Sequence, residues 1–156
     1  MRTLTVVDAA GLAAAYAGAR YCVMIDGDTL PLAVGQVASD LEAYWPAERY
    51  VFITAWNPAS EVHSDAANDT ADALLVTRLD AAGLQRHAAW SQGAQGDWRE
   101  PGWLVAGLDD CASSTLAQEF GQAGILSWDR GQPVRLQMLL HRPQGAPMAP
   151  HVDWVE

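Results

Sequence analysis

The sequence predicts a single α+β domain: a mixed, mostly antiparallel sheet with helices packed on it. Three observations carry that expectation. Helix-like and strand-like stretches follow one another in the order α-β-β-α-β-α-β-β-α-β-β, and two short turn signals join consecutive strands as hairpins. One run, Tyr50 to Trp56 (YVFITAW), is apolar or β-branched almost throughout, as a strand covered on both faces must be. No repeat or long linker divides the 156 residues, a length that buries about 70% of the surface of the unfolded chain.

The elements are expected in this order. Ala9 to Ala19 is alanine-rich with Leu12 and Tyr16 four apart, which suits a short helix with one apolar stripe. Tyr21 to Ile25 is strand-like. Asp26-Gly27 turns the chain, and Thr29 to Val34 returns as the partner strand, placed at a sheet edge by Pro31. A helix from about Val37 to Trp45 is stopped by Pro46. The strand Tyr50 to Trp56 ends at Asn57-Pro58. A polar loop leads to Asn68 or Asp69, either of which can cap a helix running to about Ala82 and closed by Gly83. Leu84 to Ser91 and Gly102 to Leu108 are strands around a glycine-bearing loop. Asp109-Asp110 starts a helix with Ala112, Leu116 and Phe120 on one stripe, ended by Gly121. Ile125 to Trp128 and Val134 to Leu140 form a hairpin across Asp129-Arg130-Gly131. The domain is expected to span residues 1–141, with a proline-rich C-terminal tail over 142–156.

Composition narrows the functional classes. The formal charge is −10, from 19 acidic residues against 9 basic ones, all arginine. A field of that sign repels nucleic acid and anionic membrane surfaces, so neither is an expected partner. Half of the residues are hydrophobic and 18% are charged, which suits a packed core. Seven tryptophans add apolar area, each with an N–H that needs a partner when buried. Cys22 and Cys111 make neither a disulfide framework nor a cysteine-rich zinc site, and Asp8 interrupts the apolar N-terminal stretch. A cytoplasmic protein is expected. The sequence lacks a GxxxxGK[ST] phosphate loop, a GxGxxG turn, HExxH and GxSxG, so no familiar catalytic constellation is present.

Several motifs recur in a fixed order. They are YVFITAWNPAS at residues 50–60, Asn68, Trp98-x-Glu100-Pro101, Leu104-Val105-x-Gly107, and Leu116-Ala117-x-x-Phe120-Gly121-Gln122. Over about residues 20–130 this pattern resembles a bacterial domain-of-unknown-function family with an ITAWNP-like strand end, a W-x-E segment and an F-G-Q-N-A-like turn. The resemblance implies the fold and the compartment but no activity, since the family has none established. The chain departs from the pattern at Ala123 and Gly124, where the family has asparagine and alanine, and at Gly102, where it has serine.

The polar residues at predicted element ends are the candidate site. Thr54 and Asn57 end the central strand, Asn68 starts a helix, Glu100 stands at a strand entrance and Gln122 follows a helix end. Loops gathered at the rim of a sheet often hold ligands there. The amides can read a polar ligand, and Glu100 can act as a general base or bind a cation. Trp56 and Trp98 flank these segments and can stack on a ring, although filling the core is the usual work of a tryptophan. Each amide also has an ordinary structural role as a turn residue, cap or helix-end partner. His63-Ser64-Asp65 and His151-Val152-Asp153 offer too few ligands each for a metal site, and neither a metal nor a cofactor is expected. Cys111, beside Asp109 and Asp110, is expected to be a small apolar residue and not a nucleophile.

The function expected from these residues is a non-catalytic small domain that binds a small polar ligand or a protein partner. The alternative is an enzyme with Glu100 as acid/base and Asn57, Asn68 and Gln122 orienting the substrate. A further possibility is an oligomer stapled by the tail through Trp154.

Overall fold

The computed structural model describes residues 9–58, 61–94, 96 and 99–155. It holds four helices and eight strands among them: α1 (Ala9–Gly18), β1 (Arg20–Ile25), β2 (Asp28–Leu32), α2 (Ser39–Tyr44), β3 (Arg49–Ile53), α3 (Asp65–Ala81), β4 (Arg86–Gln92), β5 (Glu100–Ala106), α4 (Asp110–Glu119), β6 (Gly124–Asp129), β7 (Arg135–His141) and β8 (Val152–Val155). The strands form one sheet in the order β2-β1-β4-β5-β3-β6-β7-β8, antiparallel throughout except for the β7–β8 pair. This is the α+β architecture the sequence predicts.

Alternation along the strands sorts the side chains into two cores. Tyr21, Tyr50, Phe52, Leu104, Leu126, Trp128 and Leu136 belong to one, against which Leu12 and Tyr16 of α1 and Trp45 after α2 pack. Val51, Ile53, Val105 and Ile125 belong to the other, with Leu75 and Leu79 of α3 and Ala117 of α4. Strand β3 lies between β5 and β6, and its residues Tyr50, Val51, Phe52 and Ile53 are all buried. A central strand shielded on both faces cannot tolerate a polar residue on either, which is why YVFI reads as an unbroken apolar run.

The local signals act as expected at most boundaries. Asp26 and Gly27 take positive φ and turn β1 into β2, and β2, with Pro31, is an edge strand. Helices α3 and α4 end in a Schellman arrangement. Leu84 N–H donates to the Leu79 carbonyl and Gly83 N–H to that of Asp80; Gln122 N–H donates to the Ala117 carbonyl and Gly121 N–H to that of Gln118. The N-cap of α4 is Asp109, whose side chain accepts from Ala112 N–H.

Three features differ from the expectation. Strand β3 stops at Ile53 and not at Trp56. Ile53 pairs with Trp103, and two residues further on the register meets Pro101, which has no N–H for a ladder; the Thr54 hydroxyl donates to the Pro101 carbonyl while accepting from Trp56 N–H. Helix α3 starts at Asp65, capped by Ser64, so Asn68 lies inside the first turns and caps nothing. The segment after Arg142, expected to be a tail, brings Val152–Val155 alongside β7 as the eighth strand. Val152 is buried, Trp154 packs on the chain's own core, and Arg135 pairs with both carboxylate oxygens of Asp153. No helix of the described residues is long and apolar enough to cross a membrane.

Candidate functional site

Where β3 ends, the chain needs a sharp change of direction, and Asn57 supplies it with φ of 46°. Asparagine enters the left-handed region more readily than other residues with a Cβ because its amide can bond locally. Here the amide bonds to segments remote in sequence. Its Oδ1 accepts from Asn68 Nδ2 at 2.9 Å and from His63 N–H at 3.0 Å. Its backbone N–H donates to Asn68 Oδ1 at 2.9 Å. Its Nδ2 donates to Glu100 Oε1 at 2.6 Å.

Asn57 and Asn68 thus bond to each other twice, and both are buried, at 8% and 2% exposure. This fixes which end of the Asn57 amide faces Glu100: the oxygen is engaged by two donors, so only the nitrogen can meet the carboxylate. Helix α3 carries Asn68 at the position that reaches back to the β3 end. A helix started at Asn68 would lose that reach, which is why the N-cap falls at Ser64.

Gln122 arrives from the other side. Gly121 has φ of 66°, and a Cβ there would stand 2.9 Å from Pro58 Cβ, so only glycine lets the end of α4 approach the Asn57-Pro58 turn this closely. The next residue, Gln122, then donates from Nε2 to the Trp56 carbonyl at 3.2 Å and to the Phe120 carbonyl at 3.4 Å. The NP and FGQ motifs are two halves of one contact.

These groups close one end of a cavity of about 290 Å³ between α1 and the sheet. Leu12, Ala15 and Tyr16 of α1 form one wall, and Tyr21, Phe52 and Leu126 of the sheet form another. Thr54, Asn57, Glu100 and Gln122 line the polar end, with Ser91 and Gln92 nearby and Val62 on the wall. Tyr21 donates its hydroxyl to the Tyr16 carbonyl at 2.6 Å, which ties the helix end to the floor. Of the described lining residues, Glu100 is the only acidic or basic one. Burial pushes its carboxyl above the ordinary glutamate range, and the hydrogen bond from Asn57 opposes part of that rise. Burial likewise raises the Tyr21 phenol, helped by the negative charge of Glu100, and keeps it protonated.

The structure therefore brings Thr54, Asn57, Glu100 and Gln122 to one cavity. Asn68 is not on the wall; it stands behind Asn57 and holds it. Trp56 takes part through its backbone, with its carbonyl on Gln122 and its N–H on Thr54, and its ring is not part of the cavity lining. Trp98 lies outside the described residues. Trp103 belongs to the opposite face, where its Nε1 donates to Asp72 at 2.8 Å. Of the two His-x-Asp motifs, the first provides the N-cap of α3 and the second the Asp153 pair with Arg135. Among the described residues no group of three or more His, Cys, Asp or Glu side chains is placed to hold a metal ion. Sequence reasoning missed the apolar walls. Tyr21 and Phe52 read as ordinary core residues, and nothing local shows that α1 leaves a gap above them.

No curated protein and no solved structure matches the chain. A family does match, over residues 53–125, a narrower span than the motifs suggest. The α1 wall and Tyr21 fall outside it, whereas Thr54, Asn57, Asn68, Glu100 and Gln122 all fall inside. The segment from the last residue of β3 to the second residue of β6 matches the model of the family described as protein of unknown function (DUF3293).

Proposed function

We propose that the protein binds a small amphipathic molecule in the cavity between α1 and the sheet. The apolar part lies against Tyr16, Tyr21, Phe52 and Leu126, and the polar part meets Glu100 and Gln122. One observation carries this reading: a single carboxyl closes the end of an otherwise largely apolar cavity, bonded to Asn57, which Asn68 holds in turn. A carboxyl that only filled space would need no such support, since an apolar residue would pack there at lower cost. The test is a small-molecule screen by thermal shift, run on the native chain and on Ala15→Trp. Ala15 lies on the exposed rim of α1, so an indole there obstructs the cavity without entering the core. Ligands of the cavity raise the melting temperature of the native chain and not of the variant. Equal shifts in both place the binding elsewhere.

A second reading is favoured by the raised pKa of Glu100: the carboxyl acts as a general acid or base on the bound molecule, with Asn57 fixing its position. Turnover of a bound ligand that falls about 10²–10⁴-fold in Glu100→Gln supports it. Ligands recovered unchanged after long incubation exclude it.

A further inference from the structure

Glu100 and Gln122 present acceptors to the cavity, and the Gln122, Thr54 and Gln92 donors beside them are engaged elsewhere. Gln122 Nε2 is used on the Trp56 and Phe120 carbonyls, which fixes the amide and leaves its Oε1 as the outward group. The Thr54 hydroxyl is used on the Pro101 carbonyl. Gln92 Nε2 is used on the Gly96 carbonyl, so Gln92 also offers oxygen. Glu100 uses Oε1 on Asn57, and its Oε2 has no partner among the described residues. No arginine or histidine stands among the described lining residues to neutralise the carboxylate, and the chain contains no lysine. The polar end of the cavity is therefore rich in acceptors, without a cation among the described lining residues, and negative.

A ligand that brought its own carboxylate or phosphate would meet like charge and no cation among the described lining residues. A neutral ketone or ester would meet oxygens with oxygen. The complementary group is one that only donates and carries positive charge, and a protonated amine has three N–H donors and no acceptor. The apolar remainder sets the size. The cavity's 290 Å³ is about twice the ~150 Å³ that takes up benzene in an engineered protein cavity, so the ligand has on the order of ten non-hydrogen atoms. The three rings of Tyr16, Tyr21 and Phe52 suit an aromatic or branched body. The net charge of −10 adds a field that draws cations toward the molecule as a whole.

We infer that the cavity selects small monocationic amines with an apolar body, the ammonium group bonded to Glu100 Oε2 and Gln122 Oε1. The inference rests on the cavity being the ligand site and specifies the chemistry of its ligand.

Three probes of matched shape and different charge test it: 2-phenylethylamine, propylbenzene and 3-phenylpropionate. Each is titrated against the full chain by ligand-observed NMR, with Glu100→Gln alongside. The expected result is that the amine binds at least about tenfold more tightly than the hydrocarbon, and that the acid does not bind. In Glu100→Gln the preference of the amine over the hydrocarbon disappears, while the hydrocarbon binds as before. Should that variant fail to fold, the native chain alone decides. Amine binding then weakens as pH falls and Glu100 takes up a proton, and hydrocarbon binding stays level. Acid or hydrocarbon binding as tight as that of the amine overturns the cation assignment and leaves the cavity a ligand site. Absence of binding by all three at millimolar concentration overturns both.

Discussion

Replacing Asn57 by aspartate changes one atom of the network and inverts its electrostatics. The carboxylate keeps the shape of the amide and the oxygen that accepts from His63 and Asn68. What it loses is the Nδ2 donor, now an oxygen facing Glu100 Oε1 where the present contact is 2.6 Å. Two carboxylates that close cannot both stay ionised in a half-buried site. The lower route is for the pair to bind one proton, which restores a donor between the oxygens.

In the unfolded chain both groups titrate near their ordinary values, about 3.9 and 4.3. Holding a proton at pH 7 then costs the folded state about 1.36 kcal/mol for each pH unit above ~4.3, or about 3.7 kcal/mol. The sign follows from the raised folded pKa. Stability is complete below the unfolded values and falls as pH rises, levelling off once the pair loses its shared proton. Native Glu100 contributes a smaller effect of the same sign, which subtracting the native chain removes. The assay is urea unfolding followed by the fluorescence of the seven tryptophans, at pH 5.5, 6.5 and 7.5, clear of the isoelectric point near 4.6. The stability gap between native and Asn57→Asp proteins should widen by about 1.4 kcal/mol per pH unit until it levels. A gap of constant size refutes the reasoning, because it would mean that the two carboxyls do not face each other.

Gly102→Ser puts a Cβ 2.9 Å from the Ile53 carbonyl oxygen and 3.0 Å from the Phe52 ring. The expected cost is about 1–3 kcal/mol in urea unfolding, with weaker ligand binding as the Phe52 ring is pushed from its place in the cavity wall. Glu42 is 5% exposed and accepts from Trp128 Nε1 at 3.2 Å and Gly131 N–H at 2.7 Å. Glu42→Ala leaves both donors without a partner and should cost about 2–4 kcal/mol, with Glu42→Gln losing less; a change under ~0.5 kcal/mol in the alanine variant counts against the assignment. Ending the chain after Arg142 removes β8, uncovers the edge of β7 and strips Val152 and Trp154 from the core. Thermal unfolding and light scattering should show a loss of about 3 kcal/mol or more and new self-association, whereas unchanged stability would make the segment a mere appendage.

The motif positions were legible in the sequence, but their reasons were not. Asn57, Asn68, Glu100 and Gln122 each had an adequate local explanation as turn residue, cap, strand start and helix-end partner. Asn57 does turn the chain, Glu100 does start β5 and the Gln122 backbone does close α4, yet each side chain also bonds to a segment remote in sequence, and Asn68 caps nothing. Asn68 shows why local rules fall short. Ser64, Asn68 and Asp69 are all competent caps by residue type, and the choice of Ser64 follows from where the helix must carry Asn68 to meet Asn57. The tail misled for the related reason that Val152–Val155 is too short and mixed to announce itself. It becomes a strand because β7 offers a free edge and the core has room for Val152.

By itself the sequence determined what depends on neighbours a few residues apart: helices from spacing, turns from glycine and proline, the centrality of β3 from its two-sided apolar run, and the edge position of β2 from Pro31. The tertiary structure alone decided the strand order, the parallel eighth strand, the cavity beneath α1, and the meeting of Glu100 with an amide 43 positions away. Backbone dihedral preferences and side-chain periodicity act within one turn or one strand, so any short window of sequence reveals them. Which elements become neighbours is set by burying all the apolar faces together, and no window shorter than the chain contains that sum.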